Sequence, residues 1–365
     1  MRRDSGMTKS QKTFLFDLLG TPSPTGFEVE GQRKWASYAR KFADSVDNDA
    51  YGTAWATLEG SAKSPRTVMI EAHADEIGYM INHITAEGFL HIGRIGGSDA
   101  ATARGRRLLI YGDKGPVKGI IGNTAIHLRK GNASEKAPEL HELYVDVGAS
   151  DEAGVKKLGL RVGHPAVYQD SVEGFGKDRL VGRALDNRIG GYIIARVLEN
   201  LSKGKKRPSA TVYAVNAVQE EIGGFGAKMV THRLRPDVAV CLDVTHATDT
   251  PGIPHDKFGK VLLGGGPSLT HGTGNHPEVV KRLMAVAKKA GIPIQHEASS
   301  RATGTDTDSI YPVRDGVPSA LVSLPQRYMH SVVEQVHLDD VEKVISLLTG
   351  FVKSVTTKDV FTVKL

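Results

Sequence analysis

Five short polar clusters close apolar runs in this chain: His73-Ala74-Asp75-Glu76, Asp186-Asn187, Glu220-Glu221, Asp243, and His330 inside RYMHS. Two imidazoles and several carboxylates form a metal-ligand inventory. Nitrogen and oxygen donors without thiolate suit Zn2+ or Co2+ first and Mn2+ next, and the donor set alone does not choose among them. Two divalent ions about 3.5–4 Å apart need a bridging carboxylate, further ligands on each side and a shared water. Asp186 can bridge, His73 and Asp243 complete one ion's shell, and Glu221 and His330 complete the other's. The expectation is therefore two divalent metal ions per subunit, with a hydroxide between them as nucleophile.

Such a nucleophile needs a base. Glu220, adjacent to a ligand but not itself one, is the candidate. Asp75, two residues beyond His73 and on the same face at strand spacing, is placed to orient the imidazole through its second ring nitrogen. Taken singly, each cluster reads as an exposed turn or a structural histidine. Together they carry more weight, because Glu220-Glu221 follow nine largely apolar residues and Asp243 closes Val238–Leu242. Burying such charges without a counter-ion costs several kcal/mol, which a metal relieves.

The elements that must position these groups can be read from periodicity. A helix carrying Phe14, Leu15, Leu18 and Leu19 on one face ends at TPSPTG, and a charged helix follows from Glu28. TVMIEA reads as a buried strand ending at His73. From about 78 to 170 short runs such as GYMINHI, FLHIGRI, RRLLIYG and VKGIIG alternate with Gly, Asp and Asn, the texture of an inserted all-β module. Strands and helices then alternate: RLVGRALDNR, the helix IGGYIIARVLENL, the strand ATVYAVNAV, a helix starting at IGGFGAKMV, and the strand DVAVCLDV. Asn275 is expected to cap a helix that ends before Gly291, and a last helix carries Val341, Val344, Ile345, Leu348 and Val352. The fold class that follows is α/β, a mixed and mostly parallel sheet flanked by helices, with an inserted small all-β domain. The catalytic domain would be discontinuous, 1–77 and 171–365, around an insertion at 78–170.

Composition narrows the function classes. The chain has 365 residues, 40% hydrophobic and 24% charged, with no stretch approaching the roughly 20 apolar residues of a membrane span. A net charge of +6, with basic residues scattered, implies neither nucleic acid nor membrane as a partner. A single cysteine excludes an internal disulfide, and the start MRRDSGMTKSQKTF lacks an apolar signal core, so the expected compartment is the cytoplasm. Cys241 reads as a packed thiol, and His246 and His255 as surface or hydrogen-bonding residues. Gly264-Gly265-Gly266 lacks the Lys-Ser or Lys-Thr of a phosphate loop and suggests close backbone approach to substrate. RATGTDTD at 301–308 is a polar loop placed to contact a substrate.

The motifs AHADEIG, GRALDNR, QEEIGGFGA, LDVTHATDTPG, LGGGP and RYMHS, in this order and spacing, resemble those of the tetrahedral (TET) aminopeptidases and their glutamyl aminopeptidase relatives. The resemblance covers most of the chain. It implies a cytosolic dinuclear metallopeptidase with His73, Asp186, Glu221, Asp243 and His330 as ligands, Asp186 bridging, Glu220 as base and Asp75 orienting the histidine. It also implies peptide substrates, a β-rich dimerisation domain, and dimers assembling into a tetrahedral dodecamer. Two departures stand out: Ser98 in Gly96-Gly97-Ser98-Asp99, where relatives carry an aromatic residue, and Asp308, where a small residue is frequent.

The leading expectation is thus a dinuclear-metal aminopeptidase acting through a metal-bridged hydroxide. Paired carboxylates also serve glycoside hydrolases, although that chemistry leaves both histidines idle, and two tryptophans give few sugar-stacking platforms. A non-catalytic metal-dependent assembly protein is the other alternative.

Overall fold

The computed structural model describes residues 7–128 and 137–365, so the start at residues 1–6 lies outside the described residues. Helices α1 (Lys9–Gly20) and α2 (Val29–Ala39) precede strands β1 (Ser45–Asn48), β2 (Ala54–Leu58) and β3 (Thr67–His73). A capping box between Thr8 and Gln11 starts α1, and its apolar face, Phe14, Leu15, Leu18 and Leu19, is buried as the periodicity predicts. Strand β3 is buried on both faces, which explains its unbroken apolar run.

The chain then leaves the sheet to form a closed antiparallel barrel. Its strands are β4 (Gly78–Ile84), β5 (Phe89–Ile95), β6 (Arg107–Gly112), β7 (Gly115–Ile121), β8 (Tyr144–Asp146) and β9 (Pro165–Tyr168), joined in the order β4-β5-β8-β7-β6-β9. Short helices α3 (Ala100–Ala103) and α4 (Glu152–Lys157) lie in its connections. The barrel has its own core, built around Tyr79, Ile81, Leu90, Leu108, Ile110 and Val145.

Strands β10 (Glu173–Phe175) and β11 (Arg179–Gly182) return to the large sheet, and α5 (Leu185–Ser202) follows. The segment RLVGRALDNR is therefore strand only over its first four residues. Its remainder turns into α5 through non-helical Asp186 and Asn187, and Ala184 takes a left-handed φ of 58°. After β12 (Thr211–Ala217) come α6 (Phe225–Leu234), β13 (Val238–His246), α7 (His255–Phe258), β14 (Ser268–Gly272), α8 (Pro277–Ala290) and β15 (Gln295–Ser299). The chain ends with α9 (Thr307–Ile310), β16 (Ser319–Arg327), β17 (Glu334–His337) and α10 (Leu338–Ser354).

Among the described residues the large sheet has 11 strands in the order β1-β2-β12-β3-β13-β16-β17-β11-β10, with β14 against β16 and β15 outside β14. Parallel pairing is confined to β12-β3-β13-β16 and to β14-β15, and the remaining pairs are antiparallel. The sheet is mixed, with its parallel strands at the centre. One face is covered by α1, α2, α5, α8 and α10, whose apolar stripes join one core with Val68, Ile70, Val240 and Leu242. The opposite face packs Met69, Ala239 and Cys241 against Ala227 and Val230 of α6 and Ile310 at the end of α9. Cys241 is a packed thiol, as expected. No helix of the described residues is long and apolar enough to cross a membrane.

Two local expectations are corrected. The helix α8 is capped at His276 with Pro277 as its first residue, because the Asn275 carboxamide accepts from the Leu321 amide of β16 instead. The Gly264–Gly266 loop approaches the fully buried Asp340 carboxylate, not a substrate cavity. The amides of Gly264 and Gly266 donate to it at 2.6 and 2.8 Å. Stranding a buried amide costs roughly 1–3 kcal/mol. Asp340→Ala is therefore expected to lower stability by ~2–4 kcal/mol, read as a reduced urea midpoint at unchanged slope; a change below ~0.5 kcal/mol would show that water replaces the carboxylate.

Candidate active site

The C-terminal ends of the central parallel strands deliver the polar groups. His73 ends β3, Asp243 lies in β13, Glu220 and Glu221 follow β12, and His330 sits between β16 and β17. Asp186 enters from the first turn of α5, where the Asp186–Asn187 peptide is cis and the Asn187 carboxamide donates to the Leu242 carbonyl beside Asp243. His330 takes a left-handed φ of 60°.

The two oxygens of Asp186 face different imidazoles. Oδ1 lies 3.3 Å from His73 Nε2, and Oδ2 lies 3.2 Å from His330 Nε2. His73 Nε2 is also 3.7 Å from Asp243 Oδ1 and 3.8 Å from Glu220 Oε2, while His330 Nε2 is 3.6 Å from Glu221 Oε2. Three triads could each hold an ion: His73 with Asp186 and Asp243, Asp186 with Glu221 and His330, and His73 with Glu220 and Glu221. The first two share Asp186 and together contain all five expected ligands. The third brings Glu220 itself within ligand reach of His73.

On its Nδ1 side His73 meets Asp75, whose carbonyl is at 3.1 Å and whose Oδ1 is at 3.5 Å. The fully buried Asp75 carboxylate also accepts from the amides of Glu220 and Glu221 at 3.0 and 3.2 Å and from the Thr25 hydroxyl at 2.8 Å. One carboxylate thus orients both the imidazole and the Glu220-Glu221 turn. Glu76, grouped with these residues in the sequence, faces away and is clamped by Arg183, Arg188 and the Ser23 amide.

Without a cation the cluster is electrostatically congested. Burial, together with the charges of Asp306, Asp186 and Asp75, pushes the Glu220 carboxyl up to about 8. Burial and Asp186 hold Glu221 and Asp243 well above the carboxylate range. Burial acts upward on Asp186 too, but hydrogen bonds from His330 and His73 bring it below its ordinary value. Burial opposes protonation of His73, yet Asp186 and Asp75 raise it, and Asp186 raises His330. Buried Glu221 Oε1 has no hydrogen-bond partner. Crowded anions, an orphaned carboxylate oxygen and nitrogen–oxygen donors without thiolate fit a pair of hard or borderline divalent ions.

The site opens into a cavity of about 760 Å³. Its walls include Gly97 from the barrel, Gly223, His246, Met329, and the loop from Thr303 to Asp308, so the polar loop at 301–308 does reach the cavity. The Asp308 carboxylate accepts from the amides of Thr303 and Gly304 at 2.8 Å, which shapes that wall. His246 lines the cavity and His255 bonds the Thr248 carbonyl.

The sequence reading missed several partners. Glu334 accepts from the amides of Asp186 and His330, and buried Glu71 lies beside Asp306. Glu71 stands within the apolar strand β3, the kind of signal that singled out Asp243, whereas Glu334 opens the polar strand β17 and carries none. Thr25 and Gly97 carry no such linear signal.

Comparison with known proteins places the chain in a family. The sequence profile described as M42 glutamyl aminopeptidase matches residues 52–347. The lysyl aminopeptidase of Pyrococcus furiosus is 33% identical over 347 residues, 94% of this chain and 96% of its own. Aminopeptidase APDkam598 of Desulfurococcus kamchatkensis superimposes with a TM-score of 0.88 at 34% identity, over 95% of both chains. The TET1 peptidase of Pyrococcus horikoshii, described as able to assemble into a tetrahedron or a large octahedral shell, gives 0.83 at 26% identity, over 94% of this chain and all of its own.

The raised groups set a pH dependence. A carboxyl whose folded pKa lies above its unfolded value stabilises the fold below the unfolded pKa and loses that contribution as pH rises through the folded one. For Glu220 the window runs from about 4.5 to about 8, and Glu71 and Glu28, both pushed up to about 7 chiefly by burial, act in the same sense. Asp75 and Asp186 are lowered and act oppositely, but below about pH 4. Chelator-treated protein should therefore show a Tm that falls from pH 5 to pH 8, and added Zn2+ or Co2+ should raise Tm more at pH 8 than at pH 5.5, where protons compete. A Tm of the chelated protein that climbs across this range would contradict the congestion described.

Proposed function

Because the chain belongs to the M42 glutamyl aminopeptidase family and is a peptide hydrolase, we propose that it removes N-terminal residues from peptides at two divalent ions. The observation that carries the reading is the division of Asp186 between His73 and His330, one carboxylate oxygen toward each imidazole. His73 and Asp243 would hold one ion, Glu221 and His330 the other, with Asp186 common to both. Zn2+ or Co2+ suits these donors best, and Mn2+ is compatible. When bound, two such ions would polarise the scissile carbonyl and lower the pKa of water between them.

The chain's own residues supply the proton transfer and the orientation. Glu220 would take the proton from the attacking water and return it to the leaving amine, leaving no covalent intermediate. Asp75 would fix the His73 ring from behind and hold Glu220 through its backbone amide. The cavity and its polar loop at 303–308 would receive the first residue of the peptide.

The same reading divides the chain into a catalytic unit, 1–77 and 171–365, and the barrel at 78–170 as a dimerisation unit. Ile120 and Val162 expose apolar surface on that barrel. The TET assemblies of the structural relatives support a homo-oligomer, with dimers building a tetrahedral dodecamer. A lone buried cysteine suits a reducing compartment, the cytoplasm.

Glu220→Gln should lower kcat on aminoacyl-anilide substrates by about 10²–10⁴, with metal content unchanged. Complete chelation should abolish turnover, and adding Zn2+ or Co2+ back should restore it. Turnover that survives complete metal removal would overturn the dinuclear mechanism.

A further inference from the structure

Glu334 is 1% exposed, and none of the ion pairs among the described residues includes it. Its two oxygens are used by backbone amides: Oε2 accepts from Asp186 at 3.0 Å, and Oε1 accepts from His330 at 2.9 Å. These two residues come from different parts of the fold. Asp186 follows β11, and His330 precedes β17. Glu334 opens β17 directly opposite Gly182, the last residue of β11, so it stands where both segments arrive. Neither segment has regular backbone at that point, since Asp186 is non-helical inside α5 and His330 is left-handed.

We infer that Glu334 is a positioning residue for the second ion, tying the backbone of Asp186 to that of His330 so that their side chains meet at one ion. The inference rests on the dinuclear reading above. A carboxylate is an acceptor at both oxygens, so it can take two converging N–H groups; a carboxamide offers one acceptor and turns its NH2 against the other amide. Without this clamp the His330 turn is the side that relaxes. Its imidazole is about one-third exposed, whereas the Asp186 segment keeps a second tie through Asn187 to the Leu242 carbonyl. The triad of His73, Asp186 and Asp243 does not use His330 and keeps its geometry.

Titration of chelated full-length protein with Co2+, followed by calorimetry and visible absorption, tests this. Wild type should take up two ions. Glu334→Gln should bind the first within about threefold of wild type and the second about 10–100-fold more weakly, the usual consequence of losing a partner that orients a ligand. Glu334→Asp keeps the charge on a stem too short to span both amides and should show the same one-sided loss, so it decides the matter if the Gln variant does not fold. Two unchanged affinities, or a parallel loss of both ions, would overturn the inference while leaving the dinuclear site standing. Failure of both variants to fold would also overturn it, since the clamp would then serve the fold and not the ion. A wild-type protein that takes up no second ion would instead remove the dinuclear reading on which it depends.

Discussion

The arrangement depends on a concentration of negative charge that the polypeptide alone does not neutralise. Asp186, Glu220, Glu221 and Asp243 crowd against two imidazoles, and Asp75 and Glu334 stand directly behind. In a low-dielectric interior such a group is stable only if most of its members are protonated or if cations enter. The elevated carboxyls show the first solution in the metal-free chain, and the paired triads around Asp186 show how the second would be accommodated. This constraint separates a metal site from a pair of glycosidic carboxylates. A glycosidase gains nothing from an aspartate held between two histidines.

The fold tolerates the charge by aiming backbone amides at it. Asp75 receives the amides of Glu220 and Glu221, Asp243 receives that of Val244, and Glu334 receives those of Asp186 and His330. Several of these donors are amides of the candidate ligands Asp186, Glu221 and His330 themselves, so one carboxylate of the cluster positions the next. Parallel strands make this possible, because β3 and β12 end in register at His73 and Ala217, and the end of β3 lies beside Asp243 of the longer strand β13. Helix α5, buried along most of its length against that sheet, anchors Asp186 from the opposite side.

Much of the site was legible because a charge at the end of an apolar run is a linear signal, and His73, Glu220-Glu221 and Asp243 all carry it. The hairpin texture after residue 78 was legible for a similar reason, since barrel strands are short and punctuated by turn residues. Asn275 misled because cap chemistry is local while its carboxamide is claimed by β16, 46 residues away. Gly264–Gly266 misled for the same reason in reverse: missing side chains announce a close approach without naming what approaches, here Gln295 and the Pro293 carbonyl, while the amides bond Asp340. Mostly parallel pairing was inferred from alternation, which describes the centre of the sheet but not β1, β10 and β11, whose antiparallel partners are set by hairpins and returns from the barrel. Glu76 belongs by position to the cluster of His73 and Asp75, but its partners, Arg183 and Arg188, lie more than a hundred residues further on.

The barrel belongs to this chemistry as well as to the architecture. Gly97, just beyond β5, forms part of the cavity wall, and a Cβ on it would overlap the His330 ring. Its neighbour Gly96 has a φ of 62°, and a Cβ there would press less severely on Ile77 and Glu221. Ser98 is buried and donates to the carbonyls of Gly78 and Ile95, tying this loop to the first strand of the barrel and the last residue of the second. The Ser98 hydroxyl thus closes the loop on the barrel strands that flank it. The loop that follows β5 thus lies close against His330 and Glu221, the two ligands expected for one ion. His73 and Asp243 belong to strands of the central sheet, so the two ions proposed above would draw their ligands from differently supported parts of the fold.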